Sequence, residues 1–139
     1  MHPDMPPKLE ALADVLLARP FVAPPAVDPL VAYGYVSTPD HDSMTRHAYA
    51  AVLDLWCYTE GWVFGAWFSD VLSKPDEVIR PGFTGLVDVL PVFPRTVALI
   101  VEVDALSPRV GTALAMKTAI RRTGADLRVL DEELAEALT

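Results

Sequence analysis

Apolar residues first recur at helical spacing in KLEALADVLLA, where Leu9, Leu12, Leu16 and Leu17 share one side. The spacing predicts an amphipathic helix over 8–18. Seven of the chain's 13 prolines fall within residues 1–29, so the stretch after this helix reads as an extended connector. Residues 1–29 are thus expected to be an extension of a domain spanning 30–139. The helix either packs on the domain surface or serves as an arm for a partner.

From residue 30 the pattern switches repeatedly between the periods of strands and helices. LVAYGYV (30–36) is apolar and β-prone. STPDHDS (37–43) is turn chemistry, with Asp42 or Ser43 placed to cap a helix over 44–60. That helix carries Met44, Ala48, Ala51, Val52, Leu55 and Thr59 at helical spacing, and Gly61 stops it. WVFGAWF (62–68) suits a buried strand, residues 69–81 a polar loop, and GFTGLVDVL (82–90) a short helix. TVALIVEV (96–103) is a β-branched run fit for a sheet centre covered on both faces. Residues 109–123 form a helix with Val110, Ala113, Leu114, Met116 and Ile120 inward and Lys117, Arg121 and Arg122 outward. Gly124 ends it, ADLRVL (125–130) is a fourth strand, and DEELAEAL (131–138) a last acidic helix.

Strands that alternate with helices imply right-handed crossovers, a mostly parallel four-stranded sheet and helices on both faces, a three-layer α/β/α fold of the flavodoxin-like wound kind. Chemistry in such sheets lies beyond the carboxyl ends of the strands. That rule marks residues 37–43, 69–81 and 104–109.

Length and charge narrow the function. At 139 residues the chain is one domain, and 52% apolar against 22% charged residues is a globular composition. The formal charge of -8 argues against broad phosphate-backbone binding, which depends on Lys and Arg. DNA is therefore expected to bind weakly. No apolar run reaches the length of a membrane span, the start lacks the pattern of a secretory signal, and a lone cysteine, Cys57, fits a reducing cytoplasm. The apolar share exceeds what so small a domain readily hides, which points to a homodimer or a protein partner. The usage of Ala, Arg, Asp and Pro fits a bacterial genome rich in GC.

Ser37 is the first candidate for chemistry, because it ends the first strand and can expose a hydroxyl there; it needs a base or a positive field to become a nucleophile. The other reading is a turn serine bonded to backbone. His41 and His47 lie six apart, which does not suit a shared metal, and read as a turn and a helix-surface histidine. Asp88 with Glu102 and Asp104 resembles an acidic Mg²⁺-nuclease pattern, the latter two on one face of a strand end, though a lysine expected there is Asp104 itself. No glycine loop for nucleotide phosphates occurs, and no cofactor or metal is expected. Trp56, Trp62, Phe64, Trp67 and Phe68 cluster around the second strand, as core residues or as a stacking platform that lacks basic neighbours.

Taken in order, several segments resemble the catalytic domain of the serine recombinases, the resolvase/invertase family. AYGYVST resembles the family's opening G-Y-x-R-V-S-T, whose serine attacks a DNA phosphate, and so implicates Ser37. GWVFGAWFSD resembles the second strand with its terminal acid, Asp70. Ser73 and RPGFTGLVDVL resemble S-G…R-P-x-x-x-x-L-L, which puts Arg80 at a catalytic arginine. VALIVEVDALSPR resembles the third strand running into D-R-L-S-R, and GADLRVLDE a later strand. The resemblance covers about 31–133 and implies a sheet of order 2-1-3-4, with Ser37, Asp70, Arg80 and Asp104 gathered at one edge.

The chain departs from the family where charge matters. The strand-one arginine aligns with Tyr35, and the arginines of D-R-L-S-R with Ala105 and Pro108, Arg109 being displaced by one. His41 stands near the family's glutamine, and the family's long DNA-following helix has no counterpart before Thr139. Phosphoryl transfer builds negative charge that fixed cations must stabilise. The resemblance thus implies either a degenerate domain acting as an interaction or regulatory module, or a strand-cutting enzyme using Ser37, Arg80 and Arg109; apart from the resemblance, the alternatives are a Mg²⁺-dependent nuclease on Asp88, Glu102 and Asp104 or a small-ligand-binding α/β domain.

Overall fold

A computed structural model describes residues 6–19, 29–39 and 43–137. Most of the proline-rich connector, and Asp40, His41 and Asp42, lie outside the described residues. The element order is α1 (Pro7–Leu17), β1 (Val31–Thr38), α2 (Ser43–Glu60), β2 (Val63–Val71), α3 (Pro81–Val89), β3 (Thr96–Ile100), α4 (Val110–Arg122), β4 (Asp126–Val129) and α5 (Leu130–Ala137). Short 3₁₀ turns occupy Leu90–Val92 and Val103–Ala105. All four strands are parallel, in the order β2-β1-β3-β4.

Period-2 alternation in β1 and β3 divides the core between two faces. Ala32, Val36, Val97 and Leu99 face α1, α2 and α5, where Leu9, Leu16, Leu53, Trp56 and Leu134 are buried. Tyr33, Tyr35, Ala98 and Ile100 face α3 and α4, where Leu86, Met116 and Ile120 are buried. This is the three-layer arrangement that the alternating pattern implies. Each fully buried leucine or isoleucine contributes roughly 1.5–3 kcal/mol of transfer free energy. Gly61 and Gly124 take positive φ, 75° and 91°, just after α2 and α4, where a side chain would be strained.

α1 is woven into the first of these layers. Leu9 and Leu16 have essentially no exposed surface. Arg19, just past its end, pairs with Glu60 at 2.8 Å, at the end of α2. At the other end, the Lys8 ammonium bridges Glu102 and Asp131. Both carboxylates raise the ammonium's pKa well above the ordinary lysine value, Glu102 first.

The elements depart from the sequence pattern in three places. β3 ends at Ile100 instead of running to 103: its pairing with β1 ends at Leu99, although β1 itself runs on to Thr38, and its pairing with β4 ends at Ile100, where β4 stops. The Val101 carbonyl then accepts from the Asp131 amide, and the chain turns at 103–105. β2 is an edge strand, so WVFGAWF is only partly covered and Val63 is 45% exposed. α4 is rotated from the expected face: Ala113, Met116 and Ile120 go inward, while Val110 and Leu114 are 84% and 59% exposed.

Candidate functional site

β1 lies between β2 and β3, and its crossover goes one way while that of β3 goes the other. The crevice beyond their carboxyl ends is the topological switch point, where open α/β sheets bind ligands. A cavity of about 430 Å³ opens there. Ser37 and Thr38 from the end of β1, Glu102 and Asp104 from the segment after β3, and Tyr49 from α2 supply its polar lining. Leu72, Pro75, Val101 and Pro108 supply apolar wall.

Ser37 stands opposite Asp70 in the β1–β2 register. Its hydroxyl donates to the Ala105 carbonyl at 2.8 Å. The same carbonyl accepts from Arg80 Nη1 at 3.0 Å, so the serine and this guanidinium meet at one backbone oxygen. Arg80 is 5% exposed. Its Nε donates to the Glu77 carbonyl at 2.8 Å, and Nη2 to the Pro75 carbonyl at 3.4 Å. Burial of a guanidinium demands such acceptors, and the 72–80 loop is shaped to provide them. Glu77 holds that loop by accepting from Ser73 Oγ and from the amides of Val78 and Ile79.

Asp70 is buried as well and caps α3 from eleven residues upstream of that helix. Its Oδ1 accepts from the Gly82 amide at 2.7 Å and its Oδ2 from the Phe83 amide at 2.9 Å. These are first-turn donors that Arg80, the residue at the N-cap, does not satisfy with its side chain. Pro81 opens the helix with no amide to satisfy. The Gly82 position is tight: a Cβ there would stand 2.2 Å from the Ser69 carbonyl oxygen.

Tyr35 joins these two groups. Its hydroxyl donates to Asp70 Oδ2 at 2.7 Å and accepts from Arg80 Nη1 at 3.5 Å. Burial, then the adjacent carboxylate, raises the phenol's pKa well above the usual tyrosine range, so it is a neutral bridge. The ring packs edge-on against Phe83, centroids 5.5 Å apart.

Ser37, Asp70 and Arg80 thus come together at one sheet edge, and Asp104 lines the same cavity as Ser37. Arg109 does not join them. It sits at the start of α4, 69% exposed at the side chain, and pairs with Asp76 at 2.9 Å. The one-residue displacement seen in the sequence thus leaves its guanidinium bound to the loop. Asp88 is also elsewhere: it is exposed near the end of α3, whose following Leu90 carbonyl bonds Thr96 at the start of β3, the far end from Glu102. Glu102 and Asp104 do not share a strand face, since the chain turns between them. Among the described residues no three His, Cys, Asp or Glu side chains are grouped to hold a metal ion. His47 Nδ1 donates to the Ser43 carbonyl, 2.7 Å away, and the ring packs edge-on to Trp67, the helix-surface position expected of it. Trp56 is core and Trp62 packs beside it. Among the described residues no helix is long and apolar enough to cross a membrane.

No protein-family model matches the chain, and no curated protein matches it in sequence. Solved structures do. The C-terminal catalytic domain of ISC1926 TnpA, an IS607-like serine recombinase, superposes with a TM-score of 0.63 at 18% identity over 78% of each chain. The N-terminal catalytic domain of TP901-1 integrase gives 0.62 at 19% identity, over 73% of this chain and 78% of that one. The first open reading frame of transposon ISC1904 from Sulfolobus solfataricus P2 gives 0.54 at 16% identity, over 77% and 76%. With its parallel sheet in the order 2-1-3-4 and helices on both faces, the chain is, in its fold, a serine recombinase-like domain.

Proposed function

We propose that this domain does not cut DNA and acts through contact with another protein, in the same cell compartment as DNA, the cytoplasm. The observation that carries the reading is the state of the cations around Ser37. Arg80 donates to the carbonyls of Pro75, Glu77 and Ala105 and to the Tyr35 hydroxyl, and Tyr35 stands where the resemblance implies an arginine. A phosphorane-like transition state needs donors aimed at it in advance, each supplying a few kcal/mol. The lining near Ser37 adds negative charge through Glu102 and Asp104. An apolar rim supports a protein contact: Val78 and Ile79 are 70% and 76% exposed on the loop that Asp76 ties to Arg109, beside Val110. A second copy of the chain or a different protein fits that rim.

One observation favours the second reading, strand cleavage by Ser37. Its hydroxyl lines an open cavity and shares an acceptor with Arg80. Incubation with supercoiled DNA decides between them. No covalent protein–DNA adduct is expected from the native chain; an adduct that disappears in Ser37→Ala establishes cleavage and removes the first reading.

A further inference from the structure

The lining at the switch point has the wrong charge for a phosphate and a consistent charge for its opposite. Two carboxylates, Glu102 and Asp104, face the 430 Å³ cavity, a volume in the range of ligand-sized sites. The chain itself already seats one cation on this wall, since the Lys8 ammonium binds Glu102 and shares itself with Asp131. Asp104 has no hydrogen-bond or ion-pair partner among the described residues, although it stands two positions further along the same wall. Lys8 and Asp131 stand outside the lining, so among the described lining residues Glu102 is already paired and the charge left facing the cavity is that of Asp104.

The remaining lining suits the stem of a long cationic side chain. Leu72, Val101 and Pro108 offer apolar wall, and the Tyr49 phenol bonds Glu102 at 3.5 Å beside it. Lys and Arg bury such stems against apolar surface while their heads find carboxylates. Ser37 adds a hydroxyl oxygen able to accept a further N–H, since its own proton is donated to Ala105. Outside the cavity, Val78, Ile79 and Val110 present apolar surface for the residues flanking such a side chain.

We infer that the cavity receives the arginine or lysine side chain of a basic protein segment, held by Asp104 with Glu102, where the fold's relatives act on DNA. The inference rests on the reading of the domain as a protein-contact module and names the chemistry of its partner. The net charge of -8 steers such a basic partner toward the chain.

The probe is Nα-acetyl-arginine amide, titrated into the ¹⁵N-labelled full chain and followed by amide chemical shifts. Saturable shifts at Ser37, Thr38, Ala105 and Leu106 are expected, weakened about tenfold in Asp104→Asn, as suits loss of a charge-assisted bond. Asp104 is exposed, so the variant's unperturbed spectrum elsewhere verifies its fold. Absence of shifts at these amides, or shifts undiminished in Asp104→Asn, overturns the inference. Inorganic phosphate is titrated alongside; stronger shifts from phosphate at the same amides overturn it too. A Ser37-dependent DNA adduct would remove the non-cutting reading without touching this titration, so the two fail separately.

Discussion

Replacing Tyr35 by Phe tests whether the bridge between Asp70 and Arg80 holds the site together. The hydroxyl donates at 2.7 Å to a buried carboxylate, and hydrogen bonds to such groups are worth about 1.5–3 kcal/mol. Its removal strands nothing, because Asp70 Oδ2 keeps the Phe83 amide and Arg80 Nη1 keeps the Ala105 carbonyl. The cost of Tyr35→Phe is therefore set at the low end, about 1.5 kcal/mol. Asp70→Asn is harsher. The carboxylate accepts three bonds, and the amide that replaces it turns an N–H₂ toward one of the donors, for a loss of about 3–4 kcal/mol. A domain of this size is stable by roughly 5–15 kcal/mol, so both variants fold. If the bond is as described, the two costs are not additive: the double variant is more stable than their sum predicts by about 1 kcal/mol. Urea unfolding followed by tryptophan fluorescence, at neutral pH, measures all four corners. Additivity within about 0.3 kcal/mol, with unchanged m-values, refutes the coupling.

Other perturbations read different parts of the molecule. Leu16→Ala is expected to cost about 2–5 kcal/mol in the same urea assay, because Leu16 has no exposed surface in the first core layer; a cost under about 1 kcal/mol would mean that α1 is not part of that core. Burial, then the nearby Asp54, pushes the Cys57 thiol up to about 12 from 9.0. A raised acid is protonated in the fold, so its contribution is complete below pH 9 and is lost as pH climbs toward about 12. Stability therefore declines over that window, and Cys57→Ala flattens the decline. Iodoacetamide at pH 8 should label Cys57 only in urea; labelling of the native chain at the unfolded rate contradicts the burial.

The elements were legible because each one's period matches its place. The five helices and four strands fall within a few residues of their sequence ranges, since β1 and β3 are covered on both faces and the helices carry clear apolar stripes. What the sequence hid was tertiary. The WVFGAWF run reads as a buried strand from its composition, and only the order 2-1-3-4 implied by the resemblance puts it at an edge, where it has a neighbour on one side only. Val110 and Leu114 sit at helical spacing with Ala113, yet the small Ala113 and the long Met116 and Ile120 set which side of α4 meets the sheet. At the candidate site, the closeness of Ser37, Asp70 and Arg80 was readable from position and resemblance. Tyr35 was read as the loss of an arginine; that it bridges an acid and a base was missed, although period 2 places it on the same face as Ser37, two residues away. Asp70 as the cap of α3 was invisible for another reason: caps are sought next to the helix, and this one comes from the neighbouring strand.

Tyr35 also explains how the site keeps its charges without pairing them. An arginine at this position, next to Asp70, would be drawn to the carboxylate, and both would compete with the helix for its oxygens. With a neutral hydroxyl there, Asp70 is met by the amides of α3 and Arg80 by three carbonyls, so each charge is balanced by dipoles rather than by the other. Dipoles held by the backbone cannot swing toward an incoming group. An anion approaching Ser37 competes with the Ala105 carbonyl for Arg80, whereas Asp104 has no partner among the described residues for a cation to displace. The bonds that occupy Arg80 thus fit the proposed preference of this edge for basic groups over phosphate.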